Sequence, residues 1–272
     1  MELSTDLSFH NIDSNNSIAI LGLAREDSAN AFNAEMMQEI VSNLDIVQKA
    51  ENVRALVVHG KGKHFSAGAD LGWMKKSAEL SYDDNISDAN NLTAMFEKLH
   101  NLPIPTVAVV CGAAFGGAVG LAACCDIVLC EKNSKICLSE VKLGLLPAVI
   151  LPYLAKRILP GQLKRLSLSA RIFRGDEALL FGFADRCFNL ESKNETLIDE
   201  LNQLLNGGPV AQSILKRLQR DLQDNSFKQA PSTAEAIAKA RTGEEGQTGL
   251  TCFFQKSPPP WSVKINGETK LI

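Results

Sequence analysis

Two turns built from small residues are the first places in this 272-residue chain where the residue types suggest chemistry. Gly116 and Gly117 follow the apolar run Thr106–Val110 and precede an alanine-rich helical segment, so the first N–H groups of that helix are open to a ligand. A second such turn, Phe65-Ser-Ala-Gly-Ala-Asp70, also follows an apolar run. Together the turns could hold a developing oxyanion. For the two glycines alone, a tight turn that serves only packing is the alternative.

A single glutamate occupies an unusual place. Glu140 ends the otherwise apolar segment Ile136–Glu140, where a carboxylate could act as a general base. A solvated surface carboxylate is the alternative reading. The histidines lack metal-ligand spacing, and the sequence contains no dinucleotide-binding, P-loop or nucleophile-elbow glycine motif. We therefore expect no metal site and no bound cofactor.

Composition limits the class of protein. A hydrophobic fraction of 45% and a charged fraction of 22% are those of an ordinary globular protein, and the net charge of −3 argues against general binding to nucleic acid or membrane surfaces. The seven cysteines have no C-x-x-C spacing, which favours buried thiols in a reducing compartment. The segment Met1–Leu7 is acidic and resembles no secretory signal, so we expect a cytoplasmic protein.

Hydrophobic patterning predicts an α/β core followed by a helical region. The predicted strands are Ser17–Leu23, Arg54–His59, Thr106–Val110, Asp126–Cys130 and Arg186–Leu190. The predicted helices are one capped by Asn33 that runs through Met36 to Val47, then Leu92–Leu99, Leu163–Ser169, Gly175–Phe181, Thr196–Leu205, Pro209–Leu222, Thr233–Arg241 and Gln247–Gln255. Ser77–Asp88 is predicted to be a surface loop. We place the core at residues 1–194 and the helical region at 195–272.

Three blocks in this order resemble the crotonase (enoyl-CoA hydratase/isomerase) superfamily. They are His64–Leu71, Cys111–Leu121 with the following Cys125-Asp126, and Leu138–Gly144. The resemblance implies an α/β fold built as a spiral of ββα units, with a C-terminal helical region that forms a homotrimer or a dimer of trimers. It also implies an acyl-CoA thioester substrate, whose coenzyme A is part of the substrate and no separate cofactor.

The resemblance carries roles over to individual positions. Ala69 and Gly117 match the two residues whose backbone N–H groups form the oxyanion hole, and Glu140 matches a catalytic glutamate. The remaining matches are to residues that contact coenzyme A or the acyl group: Ala67, Asp70 and Leu71 along the coenzyme A path, Gly120 beside the reacting carbons, and Phe253 and Lys256, which reach the coenzyme A of a neighbouring subunit.

Gly120 departs from the pattern of the family, whose hydratases typically have a first glutamate there. We expect the glycine to leave space for a β-branch or a second carboxylate on the substrate. The residues of the second and third blocks look closest to methylglutaconyl-CoA and isohexenylglutaconyl-CoA hydratase-like members. This resemblance implies hydration of a branched or carboxylated enoyl-CoA such as 3-methylglutaconyl-CoA. Two alternatives stay open: an enoyl-CoA isomerase that uses one glutamate, and a non-catalytic paralogue that binds protein or, through the basic loop at Lys61 and Lys63, RNA.

Overall fold

Buried apolar runs form two sheets in the computed structural model, which describes residues 3–224 and 233–272. The larger sheet has six strands in the order β1-β2-β3-β4-β6-β9, all parallel to their neighbours except β1, which is antiparallel to β2. The smaller sheet has the order β5-β7-β8. The strands are β1 (Thr5–Asn11), β2 (Ser17–Leu23), β3 (Val53–Gly60), β4 (Thr106–Val110), β5 (Ala113–Phe115), β6 (Ile127–Glu131), β7 (Lys135–Cys137), β8 (Phe173–Arg174) and β9 (Arg186–Phe188).

Helices connect the strands and then continue alone to the C-terminal part of the chain. They are α1 (Ala34–Lys49), α2 (Leu71–Glu79), α3 (Tyr82–His100), α4 (Gly117–Cys124), α5 (Leu151–Ala155), α6 (Pro160–Ser169), α7 (Gly175–Phe181), α8 (Lys193–Leu205), α9 (Pro209–Asp224), α10 (Thr233–Thr242) and α11 (Glu244–Gln255). No helix of the described part of the chain is both long enough and apolar enough to cross a membrane.

The larger sheet is covered on both faces, which explains why its central strands are mostly apolar. All seven residues of β2 are buried. One face packs in a core with α1, α3 and α4, to which Ile40, Phe96 and Leu121 contribute. The other face packs against α8, whose Leu201 lies in the second core.

The predicted fold class is confirmed, and most predicted elements lie within a few residues of those observed. Asn33 caps α1 as expected, because its side chain accepts a hydrogen bond of 2.9 Å from the backbone N–H of Met36. The predicted loop Ser77–Asp88 is wrong. Its residues belong mostly to α2 and α3, and Ser81 caps α3 by accepting a hydrogen bond from the Asp84 N–H.

Strand β1 is absent from the predicted elements. It lies at the edge of the sheet, and only one of its seven residues is buried, so it has no apolar run to reveal it. The division at residue 194 stays a prediction; it falls within the first turn of α8, which packs on the sheet together with Ile265. Met1 and Glu2, part of the segment on which we expected no signal peptide, lie outside the described residues.

Candidate active site

The backbone around Ala69 is held so that one N–H group faces away from its neighbours. Phe32 donates its N–H to the carbonyl of Gly68 at 2.7 Å and accepts the N–H of Asp70 at 2.8 Å. These bonds flank Ala69, which pairs with Phe32 in a parallel bridge. The N–H of Ala69 therefore points away from Phe32. Within residues 3–224 and 233–272 that N–H has no hydrogen-bond partner, and Ala69 is exposed.

The two small-residue turns predicted from the sequence lie against each other. Ser66 donates its N–H to the carbonyl of Ala113 at 3.0 Å and accepts the N–H of Phe115 at 3.1 Å. Gly68 has φ +91°, and a Cβ there would lie 2.6 Å from the carbonyl oxygen of Phe115. Only glycine allows this close approach of the two backbones. The approach brings Ala69 beside the start of α4.

Gly117 is the first residue of α4 and supplies a second open N–H. The preceding Gly116 has φ +54° and donates its N–H to the carbonyl of Cys137 at 2.9 Å. The N–H of Gly117, at the first helical position, has no partner among the described residues. A Cβ on Gly117 would lie 3.5 Å from the ring of Phe32, the residue that pairs with Ala69. The two residues with open donors, Ala69 and Gly117, are therefore both neighbours of Phe32.

Glu140 lies at the same place as these donors. It begins a short 3-10 helix, Glu140–Leu143, three residues after Cys137, the last residue of β7, whose carbonyl binds Gly116. Its Oε1 would be 3.0 Å from a Cβ on Gly116, and its buried Oε2 makes no hydrogen bond with any described residue. Burial raises the pKa of Glu140, although a hydrogen bond from its own backbone acts in the opposite direction. A buried carboxylate with a free oxygen and a raised pKa is suited to proton transfer.

The other predicted contacts of the first block are near Ala69. Asp70 caps α2, because its carboxylate accepts the N–H groups of Gly72 and Trp73 at 2.8 and 3.1 Å. It also forms an ion pair of 3.1 Å with Arg25. Burial acts to raise the pKa of Asp70, but the hydrogen bonds from Trp73 and Arg25 outweigh it and lower the pKa. The carboxylate of Asp70 is thus engaged in holding the turn, while Leu71, 83% exposed, is open to a ligand.

Three predicted contact residues differ in their setting. Ala67 is half-buried, and its N–H is used by the carbonyl of Ala29 at 2.9 Å. Phe253 and Lys256 are exposed at the end of α11, a helix that packs against α9 and α10. Their predicted contact with coenzyme A on a neighbouring subunit stays a prediction.

The expectation of open space beside Gly120 is wrong. A Cβ on Gly120 would lie 2.1 Å from Cγ2 and 2.6 Å from Cβ of Ile150, so the volume next to this glycine is filled. Both residues are buried. The physical reason is tertiary: the chain that follows Glu140 returns to α4 and places an isoleucine against the helix.

The residues that sequence reasoning missed are those that hold the turns. Phe32 pairs with Ala69, and Arg25 binds Asp70. Asn30, with φ +56°, donates its side-chain amide to the carbonyls of Lys61 and His64 at 2.9 and 2.8 Å. A signal was present at Asn30, since asparagine tolerates the left-handed backbone conformation of turns.

The acidic and metal-ligating side chains of the described residues form no group of three or more that could hold a metal ion.

Comparison with known proteins identifies the family. The family model described as enoyl-CoA hydratase/isomerase matches residues 13–264. The crystal structure of an enoyl-CoA hydratase from Shewanella pealeana is 36% identical, with a TM-score of 0.87, and covers 94% of this chain and 95% of its own. Pseudomonas aeruginosa AtuE is 31% identical, with a TM-score of 0.88, over 94% of this chain and 99% of its own. Human mitochondrial methylglutaconyl-CoA hydratase is 26% identical over 92% of this chain and 75% of its own. The chain belongs to the enoyl-CoA hydratase/isomerase family.

Proposed function

We propose that this protein is a hydro-lyase that adds water to the α,β double bond of an enoyl-CoA thioester. The observation that carries the proposal is the pair of open N–H groups, on Ala69 and Gly117, beside a carboxylate of Glu140 whose Oε2 has no partner among the described residues. Two backbone donors and one base are what the addition of water to a conjugated thioester requires.

The steps assign one role to each group. The thioester carbonyl oxygen accepts hydrogen bonds from Ala69 and Gly117, which makes the β-carbon more electrophilic. Glu140 removes a proton from water, and the hydroxide oxygen bonds to the β-carbon while the electrons of the double bond move to the thioester oxygen as an enolate. The same donors stabilise that negative charge. Protonated Glu140 then returns the proton to the α-carbon, which restores the carboxylate.

We further propose that the acyl group is branched or carboxylated, with 3-methylglutaconyl-CoA as the example. The similarity to human methylglutaconyl-CoA hydratase over 92% of this chain supports this substrate class. We also propose that the active form is a homotrimer or a dimer of trimers. The exposure of Phe253, 74%, supports that assembly because the ring is available to a neighbouring subunit.

A single base also supports isomerisation, in which Glu140 moves a proton between two carbons of an enoyl-CoA through a dienolate. A spectrophotometric assay separates the two reactions. Hydration removes the absorbance of the conjugated enoyl-thioester from crotonyl-, 3-methylcrotonyl- or 3-methylglutaconyl-CoA, whereas isomerisation creates it from a 3-enoyl-CoA. Hydration by the native protein, slower by about 10²–10⁴-fold in Glu140→Gln, is the expected result. Absence of both reactions in the folded native protein would favour a binding role and contradict our proposal.

A further inference from the structure

The contact between Gly120 and Ile150 has a consequence for the acyl group. Gly120 follows Gly117 by three residues on α4, so the two share one face of the helix. A Cβ built on Gly117 would lie 3.5 Å from the ring of Phe32. A Cβ built on Gly120 would lie 2.1 Å from Cγ2 of Ile150. Gly120, which Ile150 contacts, therefore lies roughly 5 Å along the helix axis from Gly117.

One stretch of chain carries both the base and this isoleucine. Glu140 begins it, and its carbonyl accepts the N–H of Leu145 at 3.1 Å. At the other end the N–H of Ile150 is donated to the carbonyl of Pro147 at 3.2 Å. The stretch thus meets α4 at both of its ends, where Glu140 faces Gly116 and Ile150 faces Gly120.

We propose that Ile150 is a specificity-determining residue that closes the acyl end of the site. The inference rests on the proposed function, since it takes the thioester oxygen to lie at Gly117. An acyl chain of a few carbons, extended from that oxygen along α4, spans a distance comparable to one helical turn and meets the isoleucine. The side chain of Ile150 is only 3% exposed, so its hydrocarbon forms a fixed wall and leaves no room beside Gly120.

The wall also fixes the kind of group that can approach it. A carboxylate brought against buried hydrocarbon loses its hydration without gaining a partner, so the end of the acyl group that reaches Ile150 is apolar. Any carboxylate on the substrate must then point away from α4. Position 120 itself cannot carry a second acid while Ile150 keeps its place.

The test compares Ile150→Ala and Ile150→Val with Ile158→Ala, a matched control at another buried core position, 1% exposed. The measurement is kcat/KM for crotonyl-CoA and for trans-2-octenoyl-CoA, with the melting temperature of each variant. Both alanine variants should lower the melting temperature. Of the two alanine variants, only Ile150→Ala should raise the ratio of kcat/KM for octenoyl-CoA to kcat/KM for crotonyl-CoA. The expected rise is about 10-fold or more, because room for one additional methylene group in an apolar pocket changes selectivity by this amount. Ile150→Val should give a smaller change in the same direction.

An unchanged ratio in active Ile150→Ala or Ile150→Val enzyme, or an equal change in Ile158→Ala, would overturn the proposal and leave the hydratase function intact. A folded native protein that hydrates neither of these substrates, nor 3-methylcrotonyl-CoA or 3-methylglutaconyl-CoA, would overturn both. The contact has its own measurement: Gly120→Ala should lower the melting temperature, and combining it with Ile150→Ala should recover part of that loss. A fully additive loss would contradict the contact on which the proposal depends.

Discussion

Replacing Glu140 by glutamine should affect activity and stability in opposite directions. The substitution keeps the shape of the side chain and removes its charge. Since Glu140 is the base in the proposed reaction, kcat should fall by about 10²–10⁴-fold, the usual contribution of a positioned proton-transfer group. The apparent affinity for the enoyl-CoA should change little, because the two backbone donors remain.

Stability should respond differently because burial raises the pKa of Glu140. A pKa raised in the folded state means that the folded protein binds this proton more tightly than the unfolded chain. Ionised Glu140 therefore destabilises the fold at neutral pH, and the destabilisation is absent below the ordinary carboxyl pKa. Glu140→Gln should melt at the same temperature as the native protein or higher at neutral pH. The difference should shrink as the pH falls.

Glu177→Gln is the matched control. A hydrogen bond from Arg171, ahead of one from the backbone of Arg174, lowers the pKa of Glu177, so its stabilising effect is present above the ordinary carboxyl pKa and is lost at lower pH. This variant should melt lower at neutral pH with unchanged kcat. The assays are enoyl-thioester absorbance and thermal unfolding at several pH values. Near-native turnover by folded Glu140→Gln would refute the assignment of the base. A marked loss of stability in Glu140→Gln at neutral pH would refute the conclusion that burial raises the pKa of Glu140.

The remaining predictions concern the turns that position the donors. Asp70→Ala removes the cap of α2, so it should cost about 0.5–2 kcal/mol of folding free energy and should also lower kcat. Ser81→Ala removes the cap of α3, so it should cost a similar free energy but leave kcat unchanged. Denaturation and enoyl-thioester absorbance assays measure the two quantities. Gly68→Ala should lower both the melting temperature and kcat because its Cβ would meet a backbone carbonyl at 2.6 Å. Gly117→Ala keeps its backbone N–H, and its Cβ meets only a ring at 3.5 Å, so circular dichroism should show a normal fold and turnover should fall less than in Gly68→Ala. The proton-transfer role predicts that kcat/KM of the native protein rises with pH through a pKa above the ordinary value of a glutamate, since Glu140 must be ionised to accept a proton from water.

The strands and helices that form the core could be predicted from the sequence because each has a strong local pattern. Val107–Val110 is apolar throughout because both faces of its strand are covered, and α1 shows helical spacing with an Asn33 cap. The family could also be predicted, since the three blocks supply both turns and the glutamate in a fixed order. The edge strand β1 and the start of α3 could not, because their residues are mostly exposed and carry little apolar periodicity.

Only the tertiary structure decided what surrounds these residues. The sequence identifies Gly120 as a departure from its family but cannot show that Ile150, thirty positions later, occupies the neighbouring volume. In the same way, Phe32 joins Ala69 to the start of α4 through contacts between segments that are distant along the chain. Local residue preferences act over a few positions, whereas the shape of a pocket depends on close packing between remote segments. The composition and order of the motifs therefore determined the family and the candidate base, and the packing against α4 decided the space available to the acyl group.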